Sequence, residues 1–200
     1  SGFMAARAWS SAGARRCSRM AGSRPIPAGE NTWPAAGATM GSGVDGVLLA
    51  AGRSSRAGTF KMELELAGKP LLLWSLEAMA AVCSRVIVVA GYSPERVRRL
   101  TRGLPGTEVA VNENFAAGML SSIQAGIRRV RARRFFISPG DMPLIGAAVY
   151  QKLLAVEAEI VVPLCRGRRG HPVLMAAGLV PELLAEAPDS SLGRFIRRCG

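Results

Sequence analysis

The sequence predicts an α/β fold with three layers, in which a mainly parallel sheet carries helices on both faces. From Val44 onward, short β-branched runs alternate with amphipathic stretches, the pattern of strands joined by crossover helices. Pro70 and Pro94 stand where the first turn of a helix tolerates a missing amide hydrogen. Apolar residues also recur at helical spacing, and we expect one such set to lie in the core: Met119, Ile123, Ile127 and Val130.

The predicted strands and helices follow one another along the chain. In order, the strands are 44–50, 85–90, 108–111, 134–138, 159–163 and 172–175. The helices are 70–82, 94–102, 117–130, 146–156, 180–186 and 190–198. In a parallel α/β sheet, ligands bind beyond the carboxyl ends of the strands. The loops that follow those ends are therefore the expected location of functional residues.

Residues 1–43 differ from the rest of the chain. Ala, Gly, Ser, Arg and Pro dominate there, Glu30 is the sole acidic residue, and no apolar periodicity is sustained. Such a composition cannot bury a core, so we expect a disordered or non-native extension, followed by one domain over 44–200. The segment is similar to a transit peptide and equally to upstream sequence translated ahead of a start at Met40. The second interpretation is preferred.

Composition and charge narrow the class of protein. Apolar residues make up 49% of the chain and charged residues 20%, which is typical of a globular domain with a sizeable core. The net charge of +12 suits nucleic acid or a substrate with several phosphates. Aromatic residues are only 6% and are not interleaved with basic stretches, which argues against a nucleic-acid partner. The arginine-rich run 128–134 is interpreted as a solvated helix end.

The cysteines and the hydropathy pattern indicate a cytoplasmic protein. The 4 cysteines are widely separated, which is typical of free thiols in a reducing compartment. The single histidine, His171, cannot form a metal cluster by itself. No apolar stretch approaches the roughly 20 residues that span a bilayer, so no membrane association is expected.

The most informative segment runs from Leu49 to Lys61, directly after a buried apolar strand. A loop rich in Gly, Ser and Arg can surround phosphate oxygens with backbone amides, while its cations neutralise their charge. The segment lacks the Gly-Lys-Ser/Thr ending of a P-loop and the three-glycine dinucleotide fingerprint. It therefore predicts a nucleoside triphosphate site of another kind, and the alternative is a surface turn with scattered basic residues.

The order Leu-x-Ala-Gly-x-Ser-x-Arg-x-Gly-x-x-Lys in this segment resembles the signature of the nucleotidyltransferases related to the molybdenum cofactor cytidylyl- and guanylyltransferases. Ala57 departs from it, because the family usually has Met there. The resemblance implies a Rossmann-like fold, similar to that of nucleotide-diphospho-sugar transferases. It also implies that Arg56 and Lys61 hold the triphosphate in catalysis, and that the nucleotide contacts Leu49, Ala50, Ala51, Gly52, Ser54, Arg56 and Lys61.

A second motif runs from Phe135 to Pro143. It consists of an apolar strand followed by a turn with Gly and Pro, and this turn carries one carboxylate, that of Asp141. Magnesium takes one or two carboxylates and completes its shell with phosphate and water, so Asp141 is the leading metal ligand. The family has Gly-Asp-x-Pro here, matched by Gly140, Asp141 and Pro143, and the resemblance implies that Asp141 holds a catalytic Mg²⁺ bridging the triphosphate. The alternative is an Asx turn.

A third segment, 166–173, carries arginines and His171 between glycines. Guanidinium groups bind phosphate with two parallel hydrogen bonds, so this turn suits an anionic acceptor. It resembles the Gly-His-Pro-Val stretch of the cytidylyltransferase branch, which adjoins the site of a pterin phosphate. The resemblance implies acceptor-binding roles for Arg168, Arg169 and His171, with Arg166 nearby. The alternative is a basic hairpin in which a backbone group satisfies His171.

A fourth segment, 112–122, follows the third strand and opens a helix. It resembles the family's Asn-x-x-x-x-x-Gly-x-x-Ser-Ser pattern, which lines the nucleotide pocket. Gly118, Ser121 and Ser122 are therefore expected to offer amides and hydroxyls to the nucleotide at a helix N-terminus. Ordinary N-capping is the alternative.

Two further comparisons with the family concern the choice of nucleotide and the last strand of the domain. The cytidylyl branch has Ala-Ala-Gly in the first loop and the guanylyl branch Ala-Gly-Gly, so Ala50-Ala51-Gly52 favours CTP over GTP. Relatives continue to a final strand with an Asp-x-Asp-Thr-Pro-like segment, which residues up to Gly200 do not contain. We therefore expect the domain to lack that strand and a possible second metal carboxylate.

The sequence thus predicts a magnesium-dependent nucleotidyltransferase that joins CMP from CTP to a molybdopterin-type cofactor and releases pyrophosphate. An anionic acceptor phosphate needs no covalent enzyme nucleophile, so alignment and charge neutralisation carry the catalysis. A molybdenum hydroxylase is a possible recipient of the product. The alternatives are a relative that uses GTP or another phosphate acceptor, and a non-catalytic accessory protein that binds the cofactor. All of them require the first loop and Asp141 to face one cleft.

Overall fold

The computed structural model of the chain describes residues 4–9, 16–20, 43–52 and 60–199. The strands, numbered in chain order, are β1 Met4–Trp9, β2 Arg16–Met20, β3 Val44–Ala50, β4 Glu65–Leu66, β5 Lys69–Pro70, β6 Arg85–Ala90, β7 Thr107–Val111, β8 Arg134–Pro139, β9 Ile160–Cys165, β10 Arg168–Arg169 and β11 Val173–Ala176. The helices are α1 Leu71–Ala80, α2 Pro94–Thr101, α3 Met119–Ile127, α4 Ala147–Leu154, α5 Val180–Leu184 and α6 Leu192–Arg198. Short 3₁₀ turns cover Lys61–Glu63, Phe115–Ala117 and Ala177–Leu179.

The main sheet has the order β2-β1-β9-β11-β8-β3-β6-β7. Its central strands are parallel, because β3 pairs in parallel with both β6 and β8, and β6 pairs in parallel with β7. Antiparallel strands extend the sheet beyond β8, with β11 between β8 and β9. The predicted α/β class with a mostly parallel central sheet is confirmed.

Two hydrophobic clusters occupy the two faces of the sheet and make the three layers. Strand β3 alternates between them, since Leu48 and Ala50 join one cluster whereas Val47 and Leu49 join the other. Helices α1 and α4 cover the first face with Leu72, Leu76, Met79, Tyr150 and Leu153. Helices α3 and α6 cover the second with Leu120, Ile123, Ile127, Phe195 and Ile196. Strands buried on both faces explain the continuous apolar run of β3.

The expectation for the core face of α3 is wrong at its first position. Met119 is 59% exposed, whereas Leu120, Ile123 and Ile127 are buried. The helix begins at Met119, and Leu120 rather than Met119 lies in the stripe that continues through Ile123 and Ile127. Val130 follows the end of the helix and packs, partly buried, against the same cluster.

The N-terminal segment contains regular structure that its composition did not predict. Strand β1 pairs antiparallel with β9, and β2 pairs antiparallel with β1. Without β1, the edge of β9 would present unpaired backbone groups, and main-chain hydrogen bonds to such an edge need no particular side chains. Strands β1 and β2 lie within the segment for which the sequence predicts a disordered or non-native extension. The assignment of residues 1–43 as an extension and 44–200 as the domain stays a prediction.

The arginine run after α3 contacts acidic and carbonyl groups of the domain. Arg129 pairs with Glu108, and Arg134 donates hydrogen bonds to the carbonyl oxygens of Leu154 at 3.1 Å and Val156 at 2.7 Å. These contacts give part of the positive charge a structural role. None of the helices in the described ranges has the length and apolar composition that a bilayer span requires.

We expect Gly126→Ala to destabilise the fold. A Cβ added at Gly126 would stand 2.5 Å from Val47 Cγ1 and 2.7 Å from Val89 Cγ2. The free energy of unfolding, measured with urea, should fall by about 1–3 kcal/mol, the usual effect of overpacking. Gly193→Ala in α6 is the matched control, because the nearest atom there is 3.7 Å away, and alanine should stabilise that helix by about 0.5–1 kcal/mol. Equal effects of the two changes would contradict this packing.

Candidate active site

The carboxyl ends of β3 and β8 bring the first two motifs together. In the parallel register Leu49 lies opposite Pro139, and the amide of Gly140 donates to the carbonyl oxygen of Leu49 at 2.8 Å. Gly140 is required for this approach, because a Cβ would stand 3.0 Å from Leu72 Cδ1 and 3.1 Å from that same carbonyl oxygen. The start of the first loop and the Gly-Asp turn therefore form one edge of the sheet.

The far end of the first loop returns to the same edge. Lys61 opens the 3₁₀ turn 61–63, and its Nζ lies 2.7 Å from Asp141 Oδ2. The two side chains are 47% and 29% exposed, so the ion pair faces solvent. Residues 53–59, which include Ser54 and Arg56, lie outside the described residues. The described ends of the first motif and Asp141 thus meet in one place, as the sequence predicts.

The end of β6 lies beside the ends of β3 and β8 and borders the same cleft. No motif in the sequence predicted this contribution of β6. A Cβ on Gly91 would stand 2.6 Å from Phe115 Cβ and 2.8 Å from the Ala51 carbonyl oxygen. The amide of Tyr92 donates to that same oxygen at 3.3 Å. Tyr92 and Phe115 stack edge to face with ring centroids 6.3 Å apart. A glycine directly after a buried strand was the available signal for this close approach.

A network around Asn112 holds the turn between β7 and α3. The buried amide of Asn112 donates to Ser121 Oγ at 2.9 Å and Ser122 Oγ at 3.0 Å, and its oxygen accepts from the Asn114 amide at 3.0 Å. Gly118 has φ +105°, a conformation that favours glycine. The two serine hydroxyls thus support the turn from inside. Nucleotide contacts by Gly118, Ser121 and Ser122 stay a prediction.

The third motif forms a hairpin on the other side of β8. Arg166 and Gly167 both have positive φ, +49° and +77°, as a tight two-residue turn with the twist of its strands requires. The turn joins β9 to β10 and presents Arg168 and Arg169 at the surface. Arg169, Gly170 and His171 then reach a cavity shared with the start of α3 and the residues before α6.

This cavity has a volume of about 300 Å³, within the range of small-molecule sites. Apolar side chains form much of its wall: Leu120, Ile123, Val162, Val173, Leu192 and Ile196. Arg169, His171 and the hydroxyls of Ser190 and Ser191 add polar groups. Arg168 does not line it. An apolar wall with a cation and hydrogen-bonding groups suits an acceptor that has both a ring system and an anionic group.

The environment of His171 favours its neutral form. Burial lowers the pKa of its imidazole below the usual value, and a hydrogen bond with the backbone of Ile137 and the charge of Asp141 oppose this shift only in part. Its Nδ1 is buried without a hydrogen-bond partner among the described residues. The backbone of Ile137 nevertheless hydrogen-bonds the imidazole, in agreement with the alternative in which a backbone group satisfies His171. An acceptor-binding role for His171 stays a prediction.

The donor set fits a metal ion that arrives with a triphosphate. Asp141 provides one carboxylate, and within the described part of the chain no group of three or more His, Cys, Asp or Glu could hold a metal. Magnesium is commonly bound by one or two carboxylates together with substrate phosphates and waters. Asp141 on the edge of an open cleft meets that requirement.

We expect the imidazole of His171 to titrate below the value of about 6.5 for an exposed histidine. Between the folded and unfolded pKa values the folded state binds fewer protons, so stability falls as the pH is lowered through this window. His171 is the single histidine of the chain, so its NMR resonances are unambiguous. A folded pKa of about 6.5 or higher, or an unchanged pH dependence of unfolding in His171→Gln, would contradict the burial.

Comparisons with known proteins agree with this geometry. Residues 46–200 match the MobA-like NTP transferase domain family. The molybdenum cofactor cytidylyltransferase of Escherichia coli K12 is 30% identical over 136 residues, which cover 68% of this chain and 71% of that protein. The molybdenum cofactor guanylyltransferase of Cereibacter sphaeroides is 32% identical over 146 residues, 70% of each chain.

A solved structure extends the likeness to three dimensions. The crystal structure of Rv0371c from Mycobacterium tuberculosis H37Rv has 27% identity and a TM-score of 0.65, over 77% of this chain and 82% of that one. Rv0371c is also known as a complex with manganese, at 25% identity, a TM-score of 0.62 and the same coverage. Together, the match over residues 46–200 and the shared fold show that the chain belongs to the MobA-like NTP transferase family and is a nucleotidyltransferase.

Proposed function

We propose that this nucleotidyltransferase transfers CMP from CTP to the phosphate of a molybdopterin-type cofactor, with Mg²⁺, and releases pyrophosphate. The observation that carries the proposal is the 2.7 Å contact between Lys61 Nζ and Asp141 Oδ2, where the ends of β3 and β8 meet. A cation for phosphate and a carboxylate for a metal stand side by side there. The relatives named as molybdenum cofactor transferases support the choice of acceptor.

Each side of the cleft has a distinct role in this reaction. Leu49, Ala50, Ala51 and Gly52 bring the backbone of the first loop to the nucleotide, and Arg56 and Lys61 neutralise its phosphates. Asp141 holds Mg²⁺, which when bound reduces the repulsion between triphosphate oxygens and the incoming acceptor. The complex of Rv0371c with manganese supports a divalent ion in a relative of this fold.

Nucleotide binding requires Lys61 to leave Asp141. The pair is exposed to solvent, and exposed ion pairs contribute only about 0–1 kcal/mol. Opening it is therefore easy when a triphosphate offers several negative oxygens to Lys61. The carboxylate of Asp141 would then be available to hold the metal. Lys61 and the metal at Asp141 would together balance the negative charge of the triphosphate.

In this proposal the acceptor binds in the cavity beside His171. Its ring system would contact the apolar wall, and its anionic group would lie near Arg169 and His171, with Arg168 on the outer rim. The acceptor phosphate is itself the nucleophile, so these residues align it and exclude water instead of removing a proton. The product would pass to a molybdenum hydroxylase. A cytoplasmic site of action is part of the same prediction.

The base preference follows from the first loop. Ala51 packs closely against Gly91, since its Cβ lies 2.9 Å from the position that a Cβ on Gly91 would take. Ala50-Ala51-Gly52 supports CTP for the same position, whereas the guanylyltransferase relative makes GTP the alternative.

Asp141→Asn should remove most of the activity and leave the fold intact. Loss of a metal carboxylate removes several kcal/mol of charge stabilisation, so pyrophosphate release should fall on the order of a hundredfold or more. Asp189→Asn, which neutralises an exposed loop carboxylate, is the control and should keep wild-type turnover. Unchanged turnover in Asp141→Asn with an unchanged melting curve would remove Asp141 from the mechanism.

Calorimetry with CTP, GTP and ATP in Mg²⁺ tests the nucleotide. CTP should bind most tightly because the first loop carries Ala50-Ala51-Gly52, and tighter GTP binding would overturn the base choice. Pyrophosphate release should then require both CTP and molybdopterin cofactor. Release with a sugar phosphate or alcohol phosphate instead would point to the other acceptor class, and nucleotide binding without any release would favour the accessory protein.

A further inference from the structure

The turn that carries Lys61 is too short to hold its own orientation. Residues 61–63 make a single 3₁₀ turn, with the Glu63 amide donating to the Phe60 carbonyl at 3.0 Å and the Leu64 amide to the Lys61 carbonyl at 3.2 Å. Such turns are marginal by themselves, because a few hydrogen bonds cannot offset the ordering of their backbone. Contacts with the rest of the domain must therefore set where Lys61 points.

Glu63 provides such a contact with helix α2. Its Oε2 accepts from Arg96 Nε at 2.9 Å and also from Arg96 Nη2, and its Oε1 accepts from Arg99 Nη2 at 2.8 Å. Both carboxylate oxygens are therefore bound by guanidinium groups of α2. The Glu63 side chain is only 18% exposed, so water competes little for these bonds.

The helix that holds Glu63 is itself fixed in the domain. Val97 is fully buried in the core, and Thr101 Oγ1 donates to the Val97 carbonyl at 3.0 Å. The Arg96 guanidinium also lies over the ring of Phe60, 5.1 Å from its centroid. Hydrogen bonding to Arg96, the largest cause, lowers the pKa of Glu63 below its usual value, which favours the charged carboxylate.

We propose that Glu63 is a positioning residue for nucleotidyl transfer: through Arg96 and Arg99 it fastens the 61–63 turn to α2 and presents Lys61 to the triphosphate. The inference rests on the proposed function, which makes Lys61 a phosphate ligand. The Glu63 carboxylate is bound by Arg96 and Arg99, so we assign it a positioning role and no direct role in the reaction. Its contribution is to restrict the positions available to Lys61, so that less conformational entropy is lost when the nucleotide binds.

The test is a double-mutant cycle on Mg²⁺·CTP binding, measured by calorimetry with the full chain. Glu63→Gln should weaken binding roughly threefold to fivefold, since it loosens one charged contact without removing it. Glu65→Gln, two residues away on exposed β4, removes the same charge without touching α2 and should bind like the wild type. In the Lys61→Met background, Glu63→Gln should have no further effect, because its influence passes through Lys61.

The outcomes separate this inference from the function on which it rests. If Lys61→Met alone binds Mg²⁺·CTP as tightly as the wild type, the role of Lys61 fails and the inference fails with it. If Lys61→Met weakens binding but Glu63→Gln has no effect, or the two losses add, the positioning role alone is overturned. If Glu63→Gln does not fold, Arg99→Met is used in its place, because it removes one of the same contacts at an exposed position. Arg99→Met should weaken Mg²⁺·CTP binding less than Glu63→Gln, and it should have no effect in the Lys61→Met background.

Discussion

The parallel pairing of β3 with β8 is the constraint on which the site depends. Their register sets Leu49 opposite Pro139, and the next amide, that of Gly140, bonds back to the Leu49 carbonyl at 2.8 Å. Two loops far apart in sequence therefore leave the sheet side by side. Because the carboxyl ends of parallel strands share one edge, the first loop and Asp141 are neighbours without any further structural element between them.

Contacts around the cleft fix the relative positions of the loops that form it. Gly91 lets β6 approach Ala51, Asn112 ties the turn before α3, and Glu63 joins the turn of Lys61 to α2. These groups contribute close packing or hydrogen bonds instead of chemistry. The same arrangement leaves Lys61 and Asp141 in contact with each other and with solvent. In the proposed function a nucleotide and its metal replace this pairing.

Much of this was accessible from sequence because it rests on periodicity and on motifs. The predicted strands 44–50 and 85–90 coincide with β3 and β6, since β-branched runs buried on both faces have few other solutions. Long-range and main-chain effects were not accessible. The pairing of β1 with β9 depends on a sheet edge that no local pattern encodes. The exposure of Met119 depends on the residue at which α3 begins. The proposed role of Glu63 depends on guanidinium groups that another helix contributes.

In the proposed function, Lys61 and Asp141 exchange their contact with each other for contacts with a metal-bound triphosphate. A crystal structure with Mn²⁺ and a non-hydrolysable CTP analogue tests this exchange directly, because anomalous scattering locates the metal independently of the fitted chain. We expect an anomalous peak beside the Asp141 carboxylate and the triphosphate, with Lys61 Nζ on a phosphate oxygen. A metal and triphosphate bound elsewhere, with the Lys61–Asp141 contact intact, would contradict it.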